Sequence, residues 1–524
     1  MTHLEDMEKS TANMEIDVLI STAGQGLRLH KISDKINKSL LPYLNKPIIH
    51  HIIEKIPGDL KIGILLGYKS EQVKDYICLA FPDRNIVFIY VDDWSSSKSG
   101  TKYSIMFARD LLKNAFWYFP CDGIYEDMDF ILKKFEEDVF VVSKVDEDKA
   151  WHYLTFLITN ERINQQFFKS KKDIGDFAFT GAMKIINKEK FFSKLDTSKS
   201  IEFVSVISEK SLVYITEFWR DLGNLEMYEE AISRTGDFDF SKMDEYTYQL
   251  TDKIVKWWAD PNIAFLKMEK PRLKPVVFPK NVKSRNQFLT YDKSPGFPFY
   301  EQVNKENFKT LLSWLKKELW MPLNIDISKN LDEFYRNKTI KRIKLLGHKQ
   351  KIQSYNPKKI NGIEVKSWQY YYEKIDWNLL ITNSKPSFIH GDLQFDNIIY
   401  EQFTNKFSLI DWRYDFSGLK SIGDLYYDFA KMLGGLHMNY QEIKKGNFDF
   451  YFKNDAVVME VPTVKNNQEL IAILEDCAKD FQLDFGKIKA LVPLIFWNMA
   501  PLHKEPFSNM CWCLGIMNYE ILDN

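Results

Sequence analysis

Phe388-Ile389-His390-Gly391-Asp392-Leu393-Gln394-Phe395-Asp396-Asn397, followed by Leu409-Ile410-Asp411-Trp412, reads as two short strands with a polar loop before the second. His390, Asp392 and Asn397 fit the spacing H-x-D-x-x-x-x-N, and Asp411 ends an apolar run some dozen residues on. Phosphoryl transfer needs such a set: one carboxylate to orient the attacking hydroxyl, and a carboxamide with a second carboxylate to hold Mg²⁺ against the phosphates. Asp392 takes the first role in this reading, Asn397 and Asp411 the second, and His390 braces the loop. The plain alternative is an Asp/Asn-rich turn in a hairpin, since both residues favour turns. Four positions at the right offsets, with apolar strands around them, weigh against it.

At these residues the chain resembles the choline kinase and aminoglycoside phosphotransferase family, whose signature is a catalytic HGD…N followed by a metal-binding Asp. Gly423-Asp424-Leu425-Tyr426-Tyr427-Asp428 continues the likeness, as the helix beneath that family's catalytic loop. The resemblance covers about the last half of the chain and is strong in residues 388–430. It implies an α+β protein-kinase-like domain that uses ATP and Mg²⁺.

The 524 residues are too many for one core, so two or three domains are expected. Apolar residues make up 45% and charged residues 27%, ordinary for a globular protein. The formal net charge of −1 gives no global basic field for nucleic acid or an anionic membrane. Five scattered cysteines with no CxxC pair suit a reduced cytoplasm. No apolar run has the length of a membrane span. The polar, acidic opening is unlike a signal peptide and reads as a frayed tail over residues 1–13.

Asp17-Val18-Leu19-Ile20-Ser21-Thr22 has the unbroken apolar character of a buried parallel strand. It runs into Ala23-Gly24-Gln25-Gly26-Leu27-Arg28-Leu29. Glycines after a strand let backbone N–H groups approach an anion. Arg28 adds a bidentate phosphate contact and Lys38 a further positive charge. A lone G-x-G is weak, and neither a Walker loop nor a full dinucleotide fingerprint is present. The segment resembles the sugar-phosphate nucleotidyltransferase family, whose opening reads A-G-x-G-x-R-L, then P-K-x-L-L-P, then K-P-I-I. Residues 23–29, 37–42 and 46–49 match these, with Asn37 in place of the usual Pro and Leu27 in place of a small residue.

Helix and strand patterns alternate from residue 48 to residue 91, as in a doubly wound, Rossmann-like α/β sheet. By the resemblance, Ser99 and Gly100 open a helix that contacts the nucleobase; otherwise residues 95–104 are a polar loop. A further strand over 115–119 ends at Pro120-Cys121-Asp122-Gly123. An acid at a strand's carboxyl end, beside the glycine loop, is well placed for a metal. Trp219-Arg220-Asp221-Leu222-Gly223-Asn224 resembles the W-x-D-x-G-N that closes this family's catalytic domain, so Asp122 and Asp221 are the candidate Mg²⁺ pair. On the acceptor side stand Gly181, in the likeness of a strand and turn, then Lys172 with Lys169 and Lys171, and Glu202 at the start of an apolar helix. Each lysine either meets an acceptor phosphate or lies on a solvated face. Glu202 either reads the acceptor or caps its helix.

The nucleotidyltransferase-like region is placed at 14–235 and the kinase-like region at 236–524, joined by a polar stretch over 233–242. Strands over 246–250 and 253–258 are expected to open the second region, with Lys256 the candidate for the ATP phosphates and Glu269 its nearest acidic partner. Residues 270–298 read as irregular. Lys338-Thr339-Ile340-Lys341-Arg342-Ile343 is basic, either a solvated helix face or an approach to phosphates.

The two resemblances together imply successive steps, alcohol to phosphoalcohol to nucleotide-activated alcohol, each with Mg²⁺. The combination is similar to bacterial choline kinase and phosphocholine cytidylyltransferase pairs that decorate surface polysaccharides. That likeness points to CTP and to choline, ethanolamine or a similar alcohol. The alternatives are a sugar-1-phosphate nucleotidyltransferase making an NDP-sugar beside a sugar kinase, and a scaffold with one inactive half.

Overall fold

A computed structural model describes residues 15–96, 100–170, 172–198, 200, 202–233, 244–349 and 356–523. The expected tail, the nucleobase-loop residues Ser97, Lys98 and Ser99, the acceptor-side Lys171 and most of the joining stretch lie outside them. The chain divides into two compact units. Described residues up to 233, with 246–250 and 255–259, form the first; residues 244–245, 251–254 and 260–523 form the second. Strands Glu245–Gln249 and Lys253–Trp258 are present, and Lys256 belongs with the first unit.

The first unit is a mixed α/β fold. Its strands are β1 (Ile16–Ser21), β2 (Ile62–Leu66), β3 (Ile86–Tyr90), β4 (Leu112–Pro120), β5 (Gly123–Tyr125), β6 (Val139–Lys144), β7 (Leu154–Thr159), β8 (Arg162–Phe168), β9 (Phe177–Ile185), β10 (Leu212–Thr216) and β11 (Trp219–Asp221). Nine form one sheet in the order β3-β2-β1-β4-β9-β6-β10-β8-β7. The β3-β2-β1-β4 half is parallel, in the register Val18↔Ile62 and Val18↔Trp117. Helices Ile48–Ile53 and Ser70–Ala80 supply crossovers, as the alternating pattern predicts. Val18, Leu19 and Ile20 are wholly buried, which is why β1 carries no polar alternation. Leu19, Leu65, Phe116, Tyr118, Met183 and Phe191 share one core beneath the sheet.

In the second unit, β12 (Pro386–Phe388) pairs antiparallel with β15 (Ile422–Asp424), and β13 (Ile398–Glu401) with β14 (Lys406–Leu409). The polar loop runs from β12 to β13. Helix α1 (Leu425–His437) follows β15 and is buried from Leu425 to Leu436. That burial on all sides matches its near-continuous apolar sequence. Residues 270–298 are not irregular throughout: Lys283–Arg285 and Phe288–Asp292 pair antiparallel. Phe288, Leu289, Thr290 and Tyr291, aromatic or branched and all buried, form a strand that the surrounding Pro and Lys obscure.

Candidate functional site

In the first unit, β4 carries Asp122 just past its carboxyl end, and the β5–β11 ribbon sets Asp221 opposite Gly123. Leu222 N–H donates to the Asp122 carbonyl at 2.8 Å, which locks the two acidic segments together. An ideal Cβ on Gly223 would lie 2.8 Å from Asp122 Oδ2, 2.9 Å from Asp221 Oδ1 and 3.3 Å from a terminal nitrogen of Arg28. Two carboxylates and a guanidinium therefore face one point, which only a glycine leaves open. Lys38 Nζ donates to Asp122 Oδ2 at 2.7 Å. Gly26 turns the loop with φ of +73° and brings its Cα beside the Lys38 side chain.

Burial penalises the Lys38 ammonium, but the Asp122 carboxylate outweighs that and raises its pKa. Burial also works against ionised Asp122, and Lys38 with Arg28 overcomes it, so Asp122 stays below its ordinary value. Asp221 differs. Burial first, then the Asp122 charge, lifts its carboxyl to about 6. The Asp122 charge thus weighs on Asp221 despite Lys38 and Arg28, and the Gly223 cradle leaves both oxygens converging. This donor set fits a divalent cation, which Asp122 and Asp221 would hold together. Among the described residues no group of three or more His, Cys, Asp or Glu side chains is arranged for a metal, so substrate phosphates and water would complete the shell.

A pH dependence follows. Without cation, the folded state binds more protons than the unfolded chain between the ordinary Asp value and about 6. Asp221 therefore costs stability as pH rises through that window. Mg²⁺ is expected to raise the melting temperature more at about pH 7.5 than at about pH 5. Equal shifts at both would contradict the assignment.

These groups open into a cleft of about 750 Å³. Ala23, Gly24, Gly26, Arg28, Lys38, Gly100, Asp122, Gly181, Glu202 and Asp221 all line it. Lys172 does not. Ser170 Oγ accepts from the N–H groups of Lys172 and Asp173 at 3.2 and 3.0 Å, closing a turn that leaves Lys172 exposed. Lys169 lines the cleft instead, 3.5 Å from Glu202. Glu202 precedes a single 3₁₀ turn, Phe203–Val206, rather than a longer helix.

The motif residue Trp219 lines the cleft too, beside Trp94, Tyr118 and Tyr153, aromatic residues that no sequence motif marks. From sequence, Asn37 is only a departure from the usual Pro. Asn37 Oδ1 accepts from Ser39 N and Oγ at 2.9 and 2.8 Å. Its Nδ2 donates to the carbonyls of Thr22 and Tyr68 at 3.1 and 2.6 Å, tying the Lys38 turn to the end of β1. Asn37→Ala is expected to lower stability in denaturant unfolding by about 3 kcal/mol, because several buried partners lose their bonds.

In the second unit the polar loop is clamped from two sides. Asp428, on α1, accepts from the N–H groups of His390 and Gly391 at 2.9 and 2.7 Å. Lys270 Nζ donates to the carbonyls of Ile389 and His390 at 2.5 and 3.0 Å. Glu269, the acid suggested for Lys256, instead accepts from Ser421 Oγ at 2.9 Å and lies 3.9 Å from Lys420. Burial, then the nearby Lys270 charge, presses the His390 imidazole down to about 3. The neutral ring donates from Nε2 to the Ile410 carbonyl at 2.9 Å, and Nδ1 accepts from Asp392 N–H at 3.2 Å. Both ring nitrogens are engaged, so the ring's place is structural.

Asn397 Nδ2 donates to the Asp392 carbonyl at 2.9 Å, and Ile410 N–H donates to the Asn397 carbonyl at 2.9 Å. Asp411 follows in a left-handed conformation, φ 57°. These bonds draw the backbone of the three candidate residues into one cluster. An Asn carboxamide oxygen and an Asp carboxylate are the oxygen donors that Mg²⁺ takes, so Asn397 and Asp411 would hold it here. Lys431 pairs with Asp392 at 2.6 Å. Burial opposes the Asp392 charge, but Lys431 and Arg413 outweigh it and keep the carboxyl well below its usual range.

The sequence of the N-terminal region resembles sugar-phosphate nucleotidyltransferases. In particular, the chain is 26% identical over 221 residues to the bifunctional protein GlmU of Methanococcus maripaludis strain C5, covering 40% of this chain and 52% of that protein. GlmU of M. maripaludis strain S2 is 32% identical over 161 residues, covering 30% of this chain and 37% of its own length. The mannose-1-phosphate guanylyltransferase catalytic subunit beta of Danio rerio is 26% identical over 224 residues, 39% of this chain and 60% of that protein. The chain thus spans about half or less of the GlmU relatives it matches. Among solved structures, a UDP-glucose pyrophosphorylase complexed with UDP-glucose overlaps 42% of this chain and 98% of its own, with 17% identity and a TM-score of 0.37. No protein-family model matches the chain. No helix among the described residues is long and apolar enough to cross a membrane.

Proposed function

We propose that the first unit transfers a nucleotidyl group from a nucleoside triphosphate to a phosphorylated small molecule and releases pyrophosphate. The observation that carries this is the convergence of Asp122, Asp221 and Arg28 on the Gly223 cradle, with Lys38 bonded to Asp122, at the mouth of the glycine loop. The loop's backbone N–H groups and Arg28 hold the triphosphate. Lys38, now paired with Asp122, offsets charge on the α-phosphate as the acceptor's phosphate oxygen attacks in line. Mg²⁺ bound at the acids would neutralise phosphate charge and orient the leaving pyrophosphate. No protein nucleophile takes part. Lys169 and Glu202 lie on the acceptor side.

The likeness to mannose-1-phosphate guanylyltransferase favours a sugar phosphate as acceptor. CTP with a phosphorylated choline or ethanolamine is the second reading, supported by the loop of the second unit. There Asp392, kept ionised beside Lys431, orients an alcohol toward the γ-phosphate of ATP, while Asn397 and Asp411 supply the oxygens for Mg²⁺. Such a unit makes the phosphomonoester that the first consumes.

Pyrophosphate release, measured with each of the four triphosphates against sugar phosphates and phosphoalcohols, tests the proposal. One triphosphate with one acceptor class should exceed the rest by at least about tenfold. No release with any pair would overturn it. Gly223→Ala is expected to cut that rate about 100-fold, because the added methyl meets both carboxylates under 3.0 Å. A rate within twofold of wild type would contradict the cradle's role.

A further inference from the structure

The surroundings of Asp392 are basic. Helix α2 of the second unit's basic segment (Lys338–Lys349) places Lys338 and Arg342 one turn apart on one face. Lys338 Nζ lies over the Phe334 ring at 3.5 Å, and the Arg413 guanidinium over the same ring at 5.2 Å and over Tyr427 at 5.8 Å. Phe334 stacks on Phe416 at 3.7 Å and meets Tyr427 edge-on at 5.0 Å, so this aromatic floor is rigid. Lys431 completes the group at 2.6 Å from Asp392.

Lys431 thus pairs with Asp392, Arg413 donates from Nε to the neighbouring Gly391 carbonyl at 2.9 Å, and Lys338 shares the Phe334 ring with Arg413, one helical turn from Arg342. Among the described residues Lys338, Arg342 and Arg413 meet no carboxylate within ion-pair distance. One terminal nitrogen of Arg342 is sealed from solvent without a hydrogen-bond acceptor. A buried guanidinium nitrogen without a partner is costly, and an arriving anion would satisfy it. Burial, then Arg413, Arg342 and Lys431, presses the Lys338 ammonium toward neutrality, and an anion would relieve that too.

We propose that Lys338, Arg342 and Arg413 form a binding site for an anionic group, a phosphate or carboxylate, beside Asp392. If the phosphoryl-transfer reading of this unit holds, on which this substrate class rests, the alcohol phosphorylated here carries a negative charge and replaces the choline or ethanolamine of the second reading above. The same chemistry is met by the phosphates of the nucleotide.

The test uses the full chain, with glycerol 3-phosphate, glycerol and choline as alcohols. Calorimetric titration should show glycerol 3-phosphate binding that weakens at least about tenfold in Arg342→Gln and in Lys338→Met, with melting temperatures checked in parallel. No wild-type binding, or binding equal in both variants, overturns the site, whether or not ADP is formed. ADP release should be faster with glycerol 3-phosphate than with glycerol or choline. In the variants, a raised KM for glycerol 3-phosphate assigns the anion to the acceptor, and a raised KM for ATP assigns it to the nucleotide. Faster turnover of choline, unchanged in both variants, overturns the proposal. ADP release from none of the three, with anion binding intact, removes the phosphoryl-transfer reading and leaves the anion site standing.

Discussion

Asp122→Asn is expected to lower pyrophosphate release by about 10³-fold or more while the protein stays folded. Asp122 does two things at once: it pairs with Lys38 at 2.7 Å and faces the Gly223 cradle with Asp221. The amide keeps the shape and removes the charge. Lys38 is then left without its neutralising partner, and Asp221 alone faces the incoming cation. The same substitution removes the like charge that raises Asp221, so the carboxyl of Asp221 should fall from about 6 toward the ordinary range. Titration of Asp221 by isotope-edited NMR would read that shift. ATP-dependent phosphorylation should continue in this variant, and loss of both activities with an unchanged melting curve would contradict two separate centres.

Asp392→Asn is the second large effect, expected to lower ADP formation by about 10²- to 10⁴-fold. Lys431 and Arg413 hold Asp392 ionised, and its backbone N–H and carbonyl are fixed by His390 and Asn397 at 3.2 and 2.9 Å. An amide there can neither accept the alcohol's proton nor balance Lys431, so the loss should fall on kcat rather than on KM for ATP. Nucleotidyl transfer should stay within about twofold of wild type.

How much of this was legible in the sequence depends on what each residue is tied to. The strand before the glycine loop and the acids at strand ends could be read, because buried parallel strands are continuously apolar and their ends gather ligands. Asp122 and Asp221 could be paired only through the resemblance, since the β5–β11 ribbon that joins them is three residues long on each side. The sequence does not distinguish Lys172 from Lys169, because a lysine cluster has no direction until the Ser170 turn sets one. The Lys270 and Asp428 clamps were invisible for a related reason. Nothing in a linear sequence shows that a buried charge will meet backbone groups of a loop more than a hundred residues away or some forty. The basic segment at 338–343 fits a solvated face and a phosphate site equally, and only the positions of Arg413 and Phe334 give that face a ligand chemistry.

The account turns on Asp122 and Asp221 sharing one divalent cation. Crystals grown with Mn²⁺ and a triphosphate, measured at an energy where manganese scatters anomalously, would locate it directly. The account predicts a peak within about 2.5 Å of a carboxylate oxygen of each acid. Manganese bound to the triphosphate with neither acid in its shell would contradict it.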